Sequence, residues 1–436
     1  MTWYFATLVL VGMVVGMMAL GVPVALAFMA TNVLGTLIFV GSIAGLTQVI
    51  DNSTSLITRF TLAPVPLFIL MGALFFHSGL AIRVFDALDK LLGRLPGRLC
   101  FLTVLGGATF STLTGSSMAN TAMLGSLMVP EMQRRGYSRQ MSLGPILGTG
   151  GLAMIIPPST LGVLLASVAG IDVGRLLIAG ILPGIVLAIL YSGLILLQVT
   201  LNPSSAPAYQ PDPSTRREKI KGLAVNVLPM ALVVAMVIGL IIFGIATPTE
   251  AAAFGVVGVL MLAILFRLLT WECIFVSVES TVRVSGMVLF IIMSSTVFSQ
   301  LLAYSGASAG MLKWATSLEV SNLTLLLAMF GVLLVLGMFM DPVSMMLIAV
   351  PIFFPLIATM KVDPIWFGVF FLMALEMSQT TPPFGLLLYI MIGVAPPGTT
   401  LMHVASAAFP FLVCDAILVT ILIVFPKLAL WLPQLM

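Results

Sequence analysis

Charged residues are scarce in this sequence: lysine, arginine, aspartate and glutamate together make up 8% of its 436 residues. Hydrophobic residues make up 60%, which is more apolar surface than one globular core can bury. The composition therefore excludes an ordinary soluble domain and predicts an integral membrane protein. The net charge of +3 is too small for a chain of this length to indicate a nucleic-acid partner.

Residues that commonly carry catalysis are also few. The two histidines, His77 and His403, and the three cysteines have the spacing of neither a metal site nor a disulfide framework. A membrane hydrolase would need a nucleophile paired with a base, which these scattered residues do not supply. The sequence has no Walker-type Gly-Lys-Ser/Thr loop, so ATP is not the direct energy source. We therefore predict neither an enzyme nor an organic cofactor.

An uncharged run over residues 99–129 is longer than one membrane crossing needs and too short for two crossings with a turn. Small and polar residues crowd its middle: Thr112, Thr114, Gly115, Ser116, Ser117, Asn120 and Thr121. Irregular backbone at that depth survives only where protein or a water-filled cavity satisfies its polar groups. The run therefore predicts a re-entrant helical hairpin over 99–134 whose tip lines a cavity.

The next apolar segment, 141–169, contains two groups of helix-breaking residues in its centre. Residues 148–151 read Gly-Thr-Gly-Gly, and Pro157 and Pro158 follow. Proline removes a backbone donor and clashes with the preceding turn. We therefore predict a broken helix, with unwound backbone at 148–151 and again at the proline pair, opposite the hairpin tip.

The chain repeats itself at one fixed spacing. Three proline features recur at the same separation along the sequence: Pro23 with Pro248, Pro130 with Pro355, and the proline pair at 157–158 with the pair at 382–383. This register predicts a first repeat over 1–200, a linker over 201–222 and a second repeat over 223–436, with a second hairpin at 320–360 and a second broken helix at 365–395. Each half holds five crossings and one hairpin, so the halves have opposite orientations, as in many secondary transporters. The predicted fold is an all-α polytopic membrane protein.

Basic residues give the orientation. If the first hairpin opens to the cytoplasm, thirteen of the eighteen lysines and arginines lie on the cytoplasmic side. This arrangement places the linker in the cytoplasm and both termini outside.

Five motifs resemble one family over nearly the whole chain. They lie at 115–120 (GSSMAN), 155–159 (IIPPS), 246–253 (ATPTEAAA), 337–341 (GMFMD) and 381–385 (TPPFG). Their order and spacing are similar to those of the large membrane subunit of tripartite ATP-independent periplasmic (TRAP) transporters. The resemblance implies an elevator-type, sodium-coupled importer in a bacterial inner membrane. It also implies two partners, namely a small four-helix membrane subunit and a periplasmic protein that delivers an organic acid such as a dicarboxylate, sugar acid or sialic acid.

Residues beside the predicted tips and breaks are candidate ion and substrate ligands, because unwound helix ends offer free carbonyls and N–H groups. The candidates are Ser116, Ser117, Asn120, Thr149, Gly151, Pro157, Gly337, Asp341, Glu376, Thr380, Thr381 and Pro382. The Na⁺ ligands are expected among Ser116, Ser117, Gly337, Asp341 and Thr381, since Na⁺ prefers hard oxygen ligands. The same residue types also serve close helix packing. Asp341 is either an ion ligand or a brace of the tip, Glu376 either a site residue or a structural hydrogen-bond partner, and Asp415 a scaffold residue.

The sequence leaves two kinds of transporter open. One is the binding-protein-dependent importer, and the other is a sodium-anion symporter of related fold that works without a binding protein. In either, both hairpins and both broken helices are expected to form one moving body, which places Ser117 and Thr381 in the same unit. The surface against which it slides is expected on the first two spans of each half, around Gly16 and Gly258, where small residues permit close approach.

Overall fold

The computed structural model describes residues 2–41, 43–57, 62–91, 95–114, 117–157, 159–207, 220–317, 320–383 and 385–436. Of the residues named above, Gly115, Ser116, Pro158 and the central linker residues 208–219 lie outside this part. Every regular element that the structure describes is a helix. The predicted all-α fold is confirmed.

The first half contributes eleven described helices, in which each predicted discontinuous element is a pair. These are α1 (Trp3–Ala19), α2 (Val24–Phe39), α3 (Ile43–Ile57), α4 (Pro64–His77), α5 (Leu80–Leu91), α6 (Arg98–Thr114), α7 (Ser117–Arg134), α8 (Arg139–Ile155), α9 (Thr160–Ala169), α10 (Val173–Ala179) and α11 (Ile181–Leu201). The hairpin is the pair α6–α7. The broken helix is the pair α8–α9, which bends by 42°.

The second half repeats this order with a continuous helix where the first half has α3 and α4. Its described helices are α12 (Leu228–Ile242, after a π-helical turn at Leu223–Val227), α13 (Pro248–Leu265), α14 (Trp271–Tyr304), α15 (Ala307–Ser317), α16 (Asn322–Phe339), α17 (Pro342–Thr359), α18 (Pro364–Thr380), α19 (Leu386–Val394), α20 (Leu401–Val424) and α21 (Lys427–Leu430). The first residues of α7 and α17 have the same separation as the repeated prolines, and so do those of α8 and α18. The proline spacing thus extends to the helix boundaries, while the opposite orientation of the halves stays a prediction.

Helix starts follow from local capping residues. Ser138 accepts a hydrogen bond from the Met141 N–H at the start of α8, and Asp363 accepts from Ile365 and Trp366 at the start of α18. At α13, Thr247 and Glu250 form a reciprocal capping box, which satisfies two backbone donors that a helix start leaves open.

The helices are long and apolar enough for a membrane protein. Seven described helices pass as membrane spans by length and composition, and two bent pairs, α4–α5 and α8–α9, pass when each pair is taken as one span. The chain is therefore a multi-pass membrane protein. The predicted number of ten crossings stays a prediction.

The glycines at 148–151 do not break α8, which contradicts the prediction of unwound backbone there. Helix α8 runs without interruption to Ile155. A Cβ atom at Gly148 would lie 2.5 Å from the Phe411 ring, and one at Gly150 would overlap the Thr121 hydroxyl. These glycines allow neighbouring helices to approach closely, and burial on every side keeps the helix intact despite their low helix propensity. Helix α8 ends only at Ile155, two residues before the predicted Pro157.

Two groups of helices meet at one cavity. The first group, here the body, consists of the hairpins and broken helices α6–α9 and α16–α19. Within it, α7 packs against α19 of the other half and α17 packs against α9, so each hairpin is held by both repeats. The second group, here the frame, consists of α1, α2, α4 and α12–α14, in which α4 packs against α13 and α14, and α14 against α2.

Candidate functional site

A cavity of about 300 Å³ lies between the body and the frame. Four discontinuous elements of the body line it through Ser117 at the start of α7, Thr160 at the start of α9, Pro342 at the start of α17 and Gln379 near the end of α18. The frame contributes α4 and α14. The two hairpins and the two broken helices therefore reach one partly open cavity, which brings together positions from both repeats.

Two polar side chains on the body have unused hydrogen-bonding capacity at this cavity. The Ser117 hydroxyl is buried without a hydrogen-bond partner in the described part of the structure, and the same is true of the Gln379 carbonyl oxygen. Among the residues that the structure describes, the Gln379 amide nitrogen donates only to the Met154 sulfur, at 3.7 Å, and thioether sulfur is a weak acceptor. Both side chains can therefore bind a polar ligand with little competition from protein groups.

The frame side of the cavity carries the imidazole of His77. Its Nδ1 lies 2.9 Å from the Ala73 carbonyl and 3.3 Å from the Ser277 hydroxyl. Because a carbonyl oxygen only accepts, Nδ1 carries the proton in this arrangement. Among the described residues that line the cavity, His77 is the one ionisable side chain.

The tip of the second hairpin is built around Asp341. One carboxylate oxygen accepts hydrogen bonds from the backbone N–H groups of Val343 at 3.0 Å and Ser344 at 3.1 Å, and the other accepts from the Ser344 hydroxyl. Asp341 is thus the N-cap of α17, and it braces the turn. Its predicted role as an ion ligand stays a prediction.

The end of α18 presents two threonine hydroxyls. Both donate to the same carbonyl oxygen, that of Met377, with Thr380 Oγ1 at 3.2 Å and Thr381 Oγ1 at 2.6 Å. A hydroxyl that donates its proton to a carbonyl keeps its lone pairs for other partners, which suits a hard cation. Thr380 is buried and Thr381 is half-buried, whereas Pro382, the next predicted residue, is exposed.

Asn120 and Thr149 hold the first hairpin against α8. The Asn120 amide donates to the Thr149 carbonyl at 3.1 Å and to the Gly107 carbonyl at 3.5 Å. The Thr149 hydroxyl donates to the Pro145 carbonyl at 2.5 Å. Thr149 therefore lies in regular helix, not in the unwound backbone that the sequence predicted.

Four further candidates are buried within the body. A Cβ atom at Gly151 would overlap the Glu376 carboxyl group, and one at Gly337 would overlap the Ser378 side chain. Pro157 is buried directly after α8. Glu376 is 1% exposed, and its Oε1 lies 3.2 Å from the Tyr191 hydroxyl oxygen. Gly151, Gly337, Pro157 and Glu376 do not line the cavity, and their predicted ligand roles stay predictions.

The structure also adds residues that the sequence did not single out. Gln379 and Thr160 neighbour predicted residues, and their adjacency to the helix breaks was a usable signal. His77 has no second potential ligand near it in the sequence, so no local pattern predicts its place at the cavity. The expected sliding surface around Gly16 and Gly258 stays a prediction; in this structure Gly258 permits the close contact of α13 with Val233 of α12. The third spans, α4 and α14, line the cavity.

Comparisons with known proteins agree with this architecture. A family model described as the DctM component of tripartite ATP-independent periplasmic transporters matches residues 11–428. A C4-dicarboxylate TRAP transporter large permease protein from Pseudomonas aeruginosa is 32% identical over 380 residues, covering 86% of this chain and 87% of that protein. A sialic acid TRAP transporter large permease protein from Vibrio cholerae is 30% identical over 382 residues, covering 87% of each chain.

A solved structure shares the fold at low sequence identity. The YdaH transporter of Alcanivorax borkumensis, described as having an unusual topology, superposes with a TM-score of 0.65 at 15% identity. The match covers 89% of this chain and 90% of that one. This likeness concerns the arrangement of the helices.

Proposed function

Because the chain belongs to the DctM-component family of tripartite ATP-independent periplasmic transporters, we propose that it imports a small organic acid together with Na⁺, by elevator movement of the body against the frame. The observation that carries the proposal is the cavity between the two groups of helices, reached by both hairpins and both broken helices. A substrate held there is in contact with both groups, so displacement of the body relative to the frame would move it across the membrane.

The cavity favours a small acid. Its volume of about 300 Å³ is at the lower end of the range for ligand pockets, roughly 300–1,000 Å³. The start of α9 and the start of α17 reach it, and helix N-termini favour anionic groups. Ser117 and Gln379 would donate hydrogen bonds to the acid from the body, and His77 would contact it from the frame. A C4-dicarboxylate, as named for the Pseudomonas aeruginosa relative, is of suitable size.

Sodium would bind as a co-transported ion to neutral oxygens at the helix ends. Groups of three or more His, Cys, Asp or Glu that could hold a metal are absent from the described residues, which is compatible with a hard monovalent cation bound by hydroxyl and carbonyl oxygens. Thr380 and Thr381 offer hydroxyl lone pairs beside the break after α18. The Ser117 hydroxyl provides a further oxygen at the first tip.

Family membership also supports the partners and the location. We infer that the chain assembles with a small membrane subunit and receives its acid from a periplasmic binding protein. We further infer that it lies in a bacterial inner membrane with both termini in the periplasm and the 201–222 linker in the cytoplasm, as the basic residues predict.

Uptake by the purified complex in proteoliposomes tests the proposal. With an inward sodium gradient and the binding protein outside, we expect accumulation of a radiolabelled C4-dicarboxylate, and little uptake when choline replaces sodium. Thr381→Ala should raise the sodium concentration for half-maximal uptake several-fold. Thr420→Ala is the matched control, because the Thr420 hydroxyl also donates to its own helix, at 2.8 Å, but is exposed.

Three results would overturn parts of the proposal. Uptake that is equal in sodium and in choline would exclude sodium coupling. Uptake that proceeds equally well without the binding protein would instead support the symporter that works alone. Equal sodium dependence in the Thr381 and Thr420 variants would remove Thr381 from the ion site.

A further inference from the structure

A second polar cluster is buried away from the cavity, where α11, α18 and α20 meet. Tyr191 on α11, Glu376 on α18 and Asp415 on α20 are each at most 2% exposed. The Tyr191 hydroxyl oxygen lies 2.5 Å from Asp415 Oδ1 and 3.2 Å from Glu376 Oε1. One phenol oxygen therefore contacts two carboxyl groups that come from different helices and are far apart in the sequence.

The number of protons in this cluster follows from its geometry. A phenol carries one proton, so it can donate to only one of the two carboxyl groups. The other contact is a hydrogen bond only if a carboxyl group is protonated and donates to the phenol oxygen. Two ionised carboxylates around one phenol would also repel each other in so buried a site, where charge is costly unless it is paired.

The basic side chains on the surrounding helices are either paired with other groups or exposed. The titratable groups on the cluster's own helices and on those packed against them are Arg98, Cys100, Arg139, Arg175, Tyr389, His403, Cys414 and Lys427. Arg98 pairs with Asp89 at 2.9 Å, and Arg139 contacts His403 at 3.0 Å. Arg175 and Lys427 are exposed. None of these contacts supplies a positive charge to the carboxyl pair.

Glu376 is held at this position by the packing of α8. The absence of a side chain at Gly151 provides the space for its carboxyl group. The second carboxyl oxygen, Oε2, is buried without a hydrogen-bond partner in the described part of the structure. A neutral acid tolerates such surroundings far better than a carboxylate does, because an ionised group there would lose its hydration without compensation.

We propose that Tyr191, Glu376 and Asp415 form a proton-binding site, which holds one proton between the two carboxyl groups in addition to the phenolic proton. The ligand is the proton itself, and the site is separate from the cavity that takes the organic acid. The inference depends on the cluster alone, so it stands whether or not the proposed transport is correct.

Infrared spectroscopy of the purified full-length chain tests the proposal without a transport measurement. At neutral pH, we expect the carbonyl stretch of a protonated carboxylic acid, shifted when H₂O is exchanged for D₂O. Glu376→Gln and Asp415→Asn should each remove this band, because the single remaining carboxylate accepts the Tyr191 proton and needs no second one. Glu272→Gln, at an exposed carboxylate in the first turn of α14, is the matched control and should retain the band.

Two further measurements keep the test decisive if one variant fails to fold. Tyr191→Phe should retain the band, because two carboxyl groups still share a proton without the phenol. In the unmodified chain, the band should be the same in sodium and in choline. A missing band at neutral pH, a band that appears only when sodium is removed, or a band that survives in both Glu376→Gln and Asp415→Asn would each overturn the proposal.

Discussion

Helices α8 and α18 are equivalent in the two repeats, yet they differ where they touch. Each has 17 residues, and each begins at the same point of its repeat. At one contact position α8 has Gly151, whereas α18 has Glu376 at the equivalent position. Equivalent residues meet directly: the Glu376 carboxyl group occupies the space beside Gly151, and the Gln379 amide contacts Met154. At the first of these pairs two large side chains could not occupy the same space, so Gly151 is small and Glu376 carries the carboxyl group. At the second pair both side chains are large, and the difference is one of polarity, Gln379 against Met154.

The largest effect is expected when the size difference between Gly151 and Glu376 is removed by a larger residue at position 151. Gly151→Val places side-chain atoms where the Glu376 carboxyl group lies, and overpacking of a tight interior costs typically about 1–3 kcal/mol. Helices α8 and α18 would have to move apart at this contact. We expect a clear fall in the thermal unfolding temperature of the detergent-solubilised chain, or failure to purify it as a single species.

Gly286→Ala is the control for that substitution. Gly286 lies in α14, and a Cβ atom there would meet no heavy atom within 4 Å. Alanine has a higher helix propensity than glycine, so this variant should be as stable as the unmodified chain or slightly more stable. Equal stability of the two variants would contradict the tight contact between the repeats.

The comparison of α8 with α18 also shows which features of the fold can be predicted from the sequence alone. The hairpin predicted over 99–134 corresponds to α6 and α7, which end at Arg134, because charge and polarity along the chain set both boundaries. Residues 148–151 were predicted to be unwound, since glycine is a poor helix former. Their helical state depends on Phe411 and Glu376, distant residues whose positions no local pattern reveals.

Contacts between distant segments explain what was missed at the sites. The sequence predicted Ser117, which lies at the cavity, because a polar residue at a hairpin tip is a local signal. Tyr191 meets Asp415 across 224 residues, and a lone tyrosine in an apolar helix gives no sign of that partner. His77 likewise gains its place in the cavity only from the packing of α4 against α14.

An intermediate effect is expected when α18 is given the same residue as α8 at the Met154–Gln379 contact. Gln379→Met gives α18 the residue that α8 has at the equivalent position, Met154, and it keeps the volume while removing both polar atoms. A hydrogen bond to a charged group contributes about 1.5–3 kcal/mol. We therefore expect the substrate concentration for half-maximal uptake to rise about tenfold or more, with a nearly unchanged unfolding temperature.

Gln198→Met in α11 is the matched control, because Gln198 is partly exposed and does not line the cavity. It should leave the half-saturating concentration unchanged. An unchanged value in Gln379→Met, together with a lower unfolding temperature, would show that Gln379 serves packing and does not contact the acid.

The smallest effect is expected at the second hairpin tip, where Asp341 is the sequence equivalent of Ser116 in the first repeat. If Asp341 acts only as the N-cap of α17, asparagine should replace it with little loss, because asparagine and aspartate cap helices about equally well. Asp341→Ala would remove the acceptor for the Val343 and Ser344 N–H groups and destabilise the chain by about 0.5–2 kcal/mol. Thermal unfolding and the sodium dependence of uptake should be measured for both variants. Equal sodium dependence in Asp341→Asn and the unmodified chain would assign Asp341 to the turn alone. A raised sodium requirement in Asp341→Asn at unchanged stability would contradict the cap-only role and place the carboxylate charge at the ion site.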